Sequence, residues 1–302
     1  VEQNTLSVLH AENGFYLGKI FMEKMTDWNA LWRELVTIKA KSRIAGSDKK
    51  QDTDPWCKKA SEFKESVKRR WKRPDSSRDI ILSKMNPDST VLDIGAGTGA
   101  WAGLLAPHVR HVTAVEPSQS MIAVMRESLQ EENITNVDII RGEWPDVSVN
   151  VHDYSLCSHA MYGYPDLPAF IRQMETCTRD TCFLLLRAPS LTGVRSEAAQ
   201  HIWGQPLDSP NFTIAYNILL QMEIYAHVQM ENTGLWKSRT SSSLDDALQS
   251  MKRFLGLTIS DEHDEYLKEL LRNRLTFKNG LYVWPREVRS ALVYWQPGKD
   301  RN

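Results

Sequence analysis

The chain has 302 residues, 41% hydrophobic and 25% charged, and 37 Lys and Arg against 38 Asp and Glu leave a net charge of -1. This is the composition of a folded globular protein and excludes disordered and collagen-like classes. No strictly apolar run exceeds five residues (Met121 to Met125, Cys182 to Leu186), too short to span a membrane.

Residues 1–21 read as an arm or a non-native remnant, and residues 22–74 as an N-terminal helical segment. A first helix is predicted after Asp27, with Trp28, Leu31, Trp32 and Leu35 on one face. Residues 46–55 read as a loop. Trp56, Ala60, Phe63, Val67 and Trp71 then recur at helical spacing, which predicts an amphipathic helix with these five as its buried stripe. Between Arg33 and Arg73 there are 14 Lys and Arg against 6 Asp and Glu. Such a stripe could meet nucleic-acid phosphates, with Trp71 stacking on a base. The simpler reading is a solvated helix face.

From residue 89 strands and helices alternate. Residues 90–94, 111–115, 138–140, 154–157 and 181–186 read as strands. Helices are predicted through Trp101 to Leu105, Met121 to Leu129, and Leu167 to Met174, the last with Asp166 as N-cap. Repeated βα units over residues 75–189 predict an α/β, doubly wound sheet. Residues 190–232 read as a helical cap laid over the C-terminal edge of that sheet. Residues 233–302 are expected to complete the core: a strand over 233–238, a helix capped by Ser243, a charged helix over 261–274, and a last strand over 290–295.

The strongest local signal is Asp93-Ile94-Gly95-Ala96-Gly97-Thr98-Gly99. Glycines there permit a tight turn and a close approach of ligand to backbone, at the ligand-binding edge of such a sheet. Gly95-x-Gly97-x-x-Ala100 fits a variant of the dinucleotide fingerprint. Asp93 two residues before the first glycine departs from it. Glu116, 19 residues after Gly97, can accept two ribose hydroxyls in either reading. Gly142-Glu143-Trp144 follows the third strand, and Tyr154 to Tyr162 covers the fourth strand and its loop.

In order and spacing these four segments resemble the class I S-adenosylmethionine-dependent methyltransferases over residues 75–190, closest to the small-molecule type. Residues 200–295 more loosely resemble uncharacterised bacterial members with a helical insertion. The resemblance implies a Rossmann-like sheet, S-adenosylmethionine as cofactor and S-adenosylhomocysteine as product. It implies donor contacts from Asp93, Gly95, Ala96, Gly97, Thr98 and Gly99, then Glu116, Pro117, Ser118 and Met121. Gly142, Glu143 and Trp144 are implied at the adenine, with Glu in place of the usual Asp, and Ser158 and His159 complete the set.

The expected reaction is in-line methyl transfer to a small-molecule acceptor. His159 is the candidate base, with an ordinary pKa near ~6.5, and Tyr162 a candidate to orient the acceptor. Tyr164, Trp203, Tyr216 and His227 are candidate acceptor contacts, and Trp236 belongs with them as a cap aromatic. No metal is expected, because the histidines show no ligand spacing and the four cysteines form no C-x-x-C pair. With no signal-peptide pattern, the expected compartment is a reducing cytoplasm. The alternatives are an RNA or protein methyltransferase using the basic segment, a non-catalytic S-adenosylmethionine-binding protein, and a nicotinamide dehydrogenase.

Overall fold

The computed structural model describes residues 26–45, 54–57, 59–231, 238–257 and 260–300. The arm over 1–21, most of the 46–55 loop, Trp236 and nearly all of the strand expected over 233–238 lie outside the described residues.

Seven strands form one sheet. They are β1 (Thr90–Ile94), β2 (His111–Glu116), β3 (Val137–Arg141), β4 (His152–Ser158), β5 (Thr178–Pro189), β6 (His227–Met230) and β10 (Val288–Trp295). Their order across the sheet is β3-β2-β1-β4-β5-β10-β6. Strands β1 to β5 run parallel to their neighbours. Strand β10 lies antiparallel between β5 and β6. The chain order reverses at β1, so the loops after β1 and β4 diverge at their C-terminal ends and open a crevice there.

Side-chain alternation along the strands feeds two cores. Leu92, Ile94, Leu184 and Leu186 face one side, where α1 (Trp28–Ala45), α6 (Leu167–Thr176) and α8 (Phe212–Gln221) pack. Val91, Phe183 and Leu185 face the other, against α3 (Ser76–Lys84), α4 (Ala100–Leu105) and α5 (Gln119–Glu131). Asp75 caps α3 and Asp166 caps α6, each accepting backbone N–H bonds in the first turn, as short polar residues do at helix starts.

The helical cap is corrected in position. Helix α8 carries Ile214, Ala215, Ile218 and Leu219 into the core beneath α1, so it is a sheet-face helix rather than a cover over the edge. Residues 227–230, expected within the cap, instead form edge strand β6. The extra structure lies between β6 and β10. There α9 (Leu244–Leu255) and α10 (Asp264–Arg274) pack with α7 (Val194–Trp203) into a separate cluster around Met251 and Leu271. Beside them sits a small sheet, β7 (Thr240–Ser241), β9 (Leu281–Val283), β8 (Thr276–Lys278). Its β8–β9 hairpin turns at Asn279-Gly280, both with positive φ, the pair that a two-residue hairpin turn favours. Trp203 touches both this cluster and the sheet core.

Among the described residues no helix is long and apolar enough to cross a membrane. No group of His, Cys, Asp or Glu among them could hold a metal ion.

Candidate functional site

A cavity of about 820 Å³ opens at the C-terminal ends of β1, β2 and β4. Its floor is the glycine loop. Gly95 N and Ala96 N both donate to Val115 O, at 2.8 and 3.0 Å, which ties the loop to β2. Gly95 has φ +67 and a Cβ there would stand 2.3 Å from Ala160 Cβ, so the loop after β1 and the loop after β4 touch through that missing atom. Gly97 has φ +58 and an open Cβ direction toward Phe63, 3.9 Å away.

Glu116 ends β2 and is 6% exposed. Its Oε2 accepts from Gly97 N and its Oε1 from Ser118 N, both at 2.8 Å. Each oxygen keeps a lone pair for a ligand hydroxyl. Burial, with Asp54 close by, pushes its pKa up despite those two amide bonds. Asp93 is buried one strand away, and its Oδ2 has no hydrogen-bond partner among the described residues. Burial first, and Glu116 second, push the Asp93 carboxyl up to about 7.

The β3 end of the cavity is formed by Gly142, Glu143 and Trp144. Trp144 is buried edge-on to Phe170, 6.2 Å between ring centroids. At the β4 end lie Ser158, His159, Ala160, Tyr162 and Tyr164. His159 has φ +58 and donates its N–H to Leu185 O at 3.0 Å. Tyr162 Oη accepts from Arg187 N at 2.6 Å and lies 3.1 Å from His159 Nδ1. Burial, reinforced by the Arg70 and Arg187 guanidinium groups, lowers the His159 pKa to about 3. Burial pushes the Tyr162 phenol well above its ordinary value. Both shifts favour the neutral forms of the pair. Burial and two nearby cations therefore work against His159 as a base.

The fourth wall comes from the N-terminal segment. Helix α2 (Ala60–Trp71) places Phe63, Val67, Arg70 and Trp71 along the cavity, with Trp56 in the preceding turn. The predicted stripe is thus split. Ala60 and Val67 are buried, but Trp56 and Phe63 remain 36% and 38% exposed, because their neighbour is the cavity rather than a core. Arg69, Arg70 and Arg73 also line it, so part of the basic stripe faces inward. The wall is anchored by Asp54, which accepts from Ser118 Oγ at 2.9 Å and Ser120 N at 2.8 Å. Burial raises the Asp54 pKa, yet bonds from Ser120, Trp56 and Ser118 outweigh it and hold the carboxyl at about 2.

Several expected contacts lie elsewhere. Ser118 spends its hydroxyl on Asp54 and on capping α5 through Met121 N, and it does not line the cavity. Gly99 caps α4 and faces away, packed against Met125. Trp203 packs between two cores. Tyr216 donates its hydroxyl to Ala226 O at 3.0 Å. His227 stacks on Tyr294 at the sheet edge, 5.1 Å between centroids. These three reach core or edge neighbours because α7, α8 and β6 belong to the scaffold. Asp93, Gly95, Ala96, Gly97, Thr98, Glu116, Pro117 and Met121 line the cavity together with Gly142, Glu143, Trp144, Ser158, His159, Tyr162 and Tyr164. Sequence reasoning missed Asp54, Trp56, Phe63 and Arg70. Their one signal was an aromatic stripe too wide for its two small core residues.

Residues 91–181 match the family described as a methyltransferase domain. A demethylmenaquinone methyltransferase of Listeria welshimeri is 30% identical over 101 residues, 31% of this chain and 42% of that protein. The chain thus spans less than half the length of that curated relative. The crystal structure of the YcgJ protein from Bacillus subtilis superimposes on 73% of this chain and 97% of its own, with a TM-score of 0.48 and 17% identity. A Synechocystis magnesium protoporphyrin IX methyltransferase, solved with bound S-adenosylhomocysteine, gives 0.42 and 14% over 70% of this chain and 95% of its own. The sheet order and the matched segment define a Rossmann-like methyltransferase fold. Residues 91–181 thus carry a methyltransferase domain, a match that supports the class I S-adenosylmethionine-dependent family and S-adenosylmethionine as cofactor.

The residues fit that group. The unpartnered buried oxygen of Asp93 suits a cationic ligand, and Glu116 offers two acceptors within the same cavity.

Proposed function

We propose that the protein transfers a methyl group from S-adenosylmethionine to a small-molecule acceptor. The observation that carries this is one continuous cavity bounded by the glycine loop, Glu116, the His159 loop and α2. Its volume of about 820 Å³ lies within the roughly 300–1,000 Å³ of small-molecule sites.

When bound, S-adenosylmethionine supplies an activated methyl group on a sulfonium. Glu116 would hold the ribose, Asp93 the cationic amino-acid end, and Trp144 the adenine. The chain's further task is to orient the acceptor against that methyl group, where holding the reactants in place carries most of the effect. His159, Tyr162 and Tyr164 would shape the β4 end of the cavity. Trp56, Phe63 and Trp71 exclude water.

The direct test is calorimetric titration with S-adenosylmethionine, S-adenosylhomocysteine and NAD. Micromolar binding of the two adenosyl ligands and none of NAD is expected; NAD binding alone would overturn the reading. Glu116→Ala should weaken S-adenosylhomocysteine by more than ~1 kcal/mol, through two lost charge-assisted bonds. An unchanged affinity would move the ribose elsewhere. With an acceptor in hand, kcat/KM should show no limb near ~6.5, the ordinary histidine value. A limb at that pH, removed by His159→Gln, would restore His159 as a base.

A further inference from the structure

The cavity is polarised in charge. Its β2–β3 end carries the carboxylates of Glu116 and Glu143, whereas Arg69, Arg70 and Arg73 line the cavity from α2 and the residues just after it. Arg70 projects from the last turn of α2 and lines the cavity half-buried. No salt bridge to Arg70 forms among the described residues. The charge that most affects it is Asp75, and Asp75 is already engaged as the N-cap of α3, accepting from Ser77 N and Arg78 N. Arg187, at the end of β5, stands behind Tyr162 with its guanidinium 5.8 Å from the ring centroid. It is held there by Ser209 Oγ at 2.9 Å from Nη2.

Arg70 lines the cavity together with His159 and Tyr162, and Arg187 stands behind Tyr162; after burial, these two guanidinium charges are what disfavour protonation of His159. Burial also lowers the Arg70 pKa, which marks a cation held out of bulk water. A desolvated arginine gains most from a planar or tetrahedral anion that its fork can grip. Around it the wall is aromatic. Trp71 meets Trp101 edge-on at 5.3 Å, and Trp56 meets Phe63 at 5.4 Å.

We infer that the acceptor is a small, largely apolar or aromatic molecule bearing a carboxylate or phosphate, which Arg70 grips at the His159 end of the cavity while Arg187 adds positive potential from behind. This rests on the methyltransferase reading above. The same chemistry could come from the donor's own amino-acid carboxylate, so the test separates the two sources.

The protein is first saturated with S-adenosylhomocysteine, then titrated calorimetrically with benzoate and phenyl phosphate, and with benzamide and benzyl alcohol as neutral counterparts. At least one acid should bind about tenfold more tightly than its neutral partner, a difference of ~1.4 kcal/mol. Arg70→Gln should abolish that preference while the S-adenosylhomocysteine Kd stays within about threefold. Arg70→Lys should keep part of it, and it also serves if R70Q does not fold. Equal binding of acids and neutral compounds, or no acid binding, overturns the inference. So does a different pattern: R70Q weakens S-adenosylhomocysteine about tenfold but leaves 5′-methylthioadenosine, which lacks the carboxylate, unchanged. Arg70 would then serve the donor. If the wild-type protein does not bind S-adenosylhomocysteine at all, the methyltransferase reading itself fails, and the inference with it.

Discussion

Gly95→Ala is expected to remove measurable donor binding. Two costs coincide at this position. The backbone sits at φ +67, where a side chain costs about 1–2 kcal/mol. The new Cβ would also lie 2.3 Å from Ala160 Cβ, an overlap of the kind that costs about 1–3 kcal/mol when the neighbours must shift. Together these reach ~2–5 kcal/mol, or roughly 30-fold to several thousandfold in affinity if the loop gives way rather than the fold. The Ala160→Gly background separates the two. It removes the steric partner, so the double variant should recover the larger share and retain only the backbone cost. If G95A is as damaging in the A160G background as in the wild-type chain, the two loops do not meet as described. Calorimetry with S-adenosylhomocysteine, beside urea unfolding of each variant, reads both quantities.

The second large effect concerns Asp93. Its folded-state pKa is about 7 against an ordinary 3.8, raised chiefly by burial and then by Glu116. Between those pH values the folded protein keeps a proton that the unfolded chain has lost. Stability therefore falls as pH rises from about 4 to about 7, by ~4 kcal/mol if this group acted alone. Asp93→Asn should remove that slope. At pH 8 the variant should be the more stable protein by a sizeable share of that amount, while at pH 4 the two should nearly coincide. Donor affinity should move the opposite way. Asn offers a cationic ligand no charge, and a lost charge-assisted contact is worth roughly 1.5–3 kcal/mol. In the wild type the donor should bind more tightly at pH 8 than at pH 6, since ionising Asp93 favours a cation. Parallel stability curves for wild type and D93N would show that Asp93 carries no extra proton in the folded protein.

These two positions stand plainly in the sequence because both belong to strand β1 and its loop. The glycine loop, Glu116, the Gly142–Trp144 segment and the loop after β4 each follow directly on a strand. A parallel sheet puts all such strand ends on one edge, so recognising the strands is enough to collect them. Strand β1 is legible at both ends because it is a short apolar run bounded by turn residues. Strand β6 is not: His-Val-Gln-Met alternates polar and apolar but over only four residues, and it becomes a strand by pairing with β10 at the edge. The Asn279-Gly280 hairpin is legible in principle, from the turn preference of that dipeptide.

The N-terminal wall is the larger omission. Trp56, Phe63 and Trp71 have the spacing of a core helix, and periodicity alone does not tell a core from a cavity. What decides is the neighbour. Helix α2 rests on α5 through Ala60, which packs on Met121 and Val124, and through the Asp54 bonds to Ser118 and Ser120, and its larger apolar residues are left beside the opening. The same packing turns Arg70 inward. Conversely, Trp203, Tyr216 and His227 would be acceptor contacts only if the segments after β5 formed a cap, whereas α8 packs on the sheet face and β6 joins its edge.

The sequence by itself determined one half of the cavity: the strand ends, the glycine loop, the carboxylate at the end of β2, and with them the likeness to a methyltransferase domain over residues 91–181. Those features are local, and each is written within a few residues of a strand. Only the tertiary structure decided the other half of the cavity. That half is assembled from α2, the loop after β4 and the end of β5, segments far apart in the chain, and the charge a ligand meets there depends on which side chains long-range packing leaves facing the cavity.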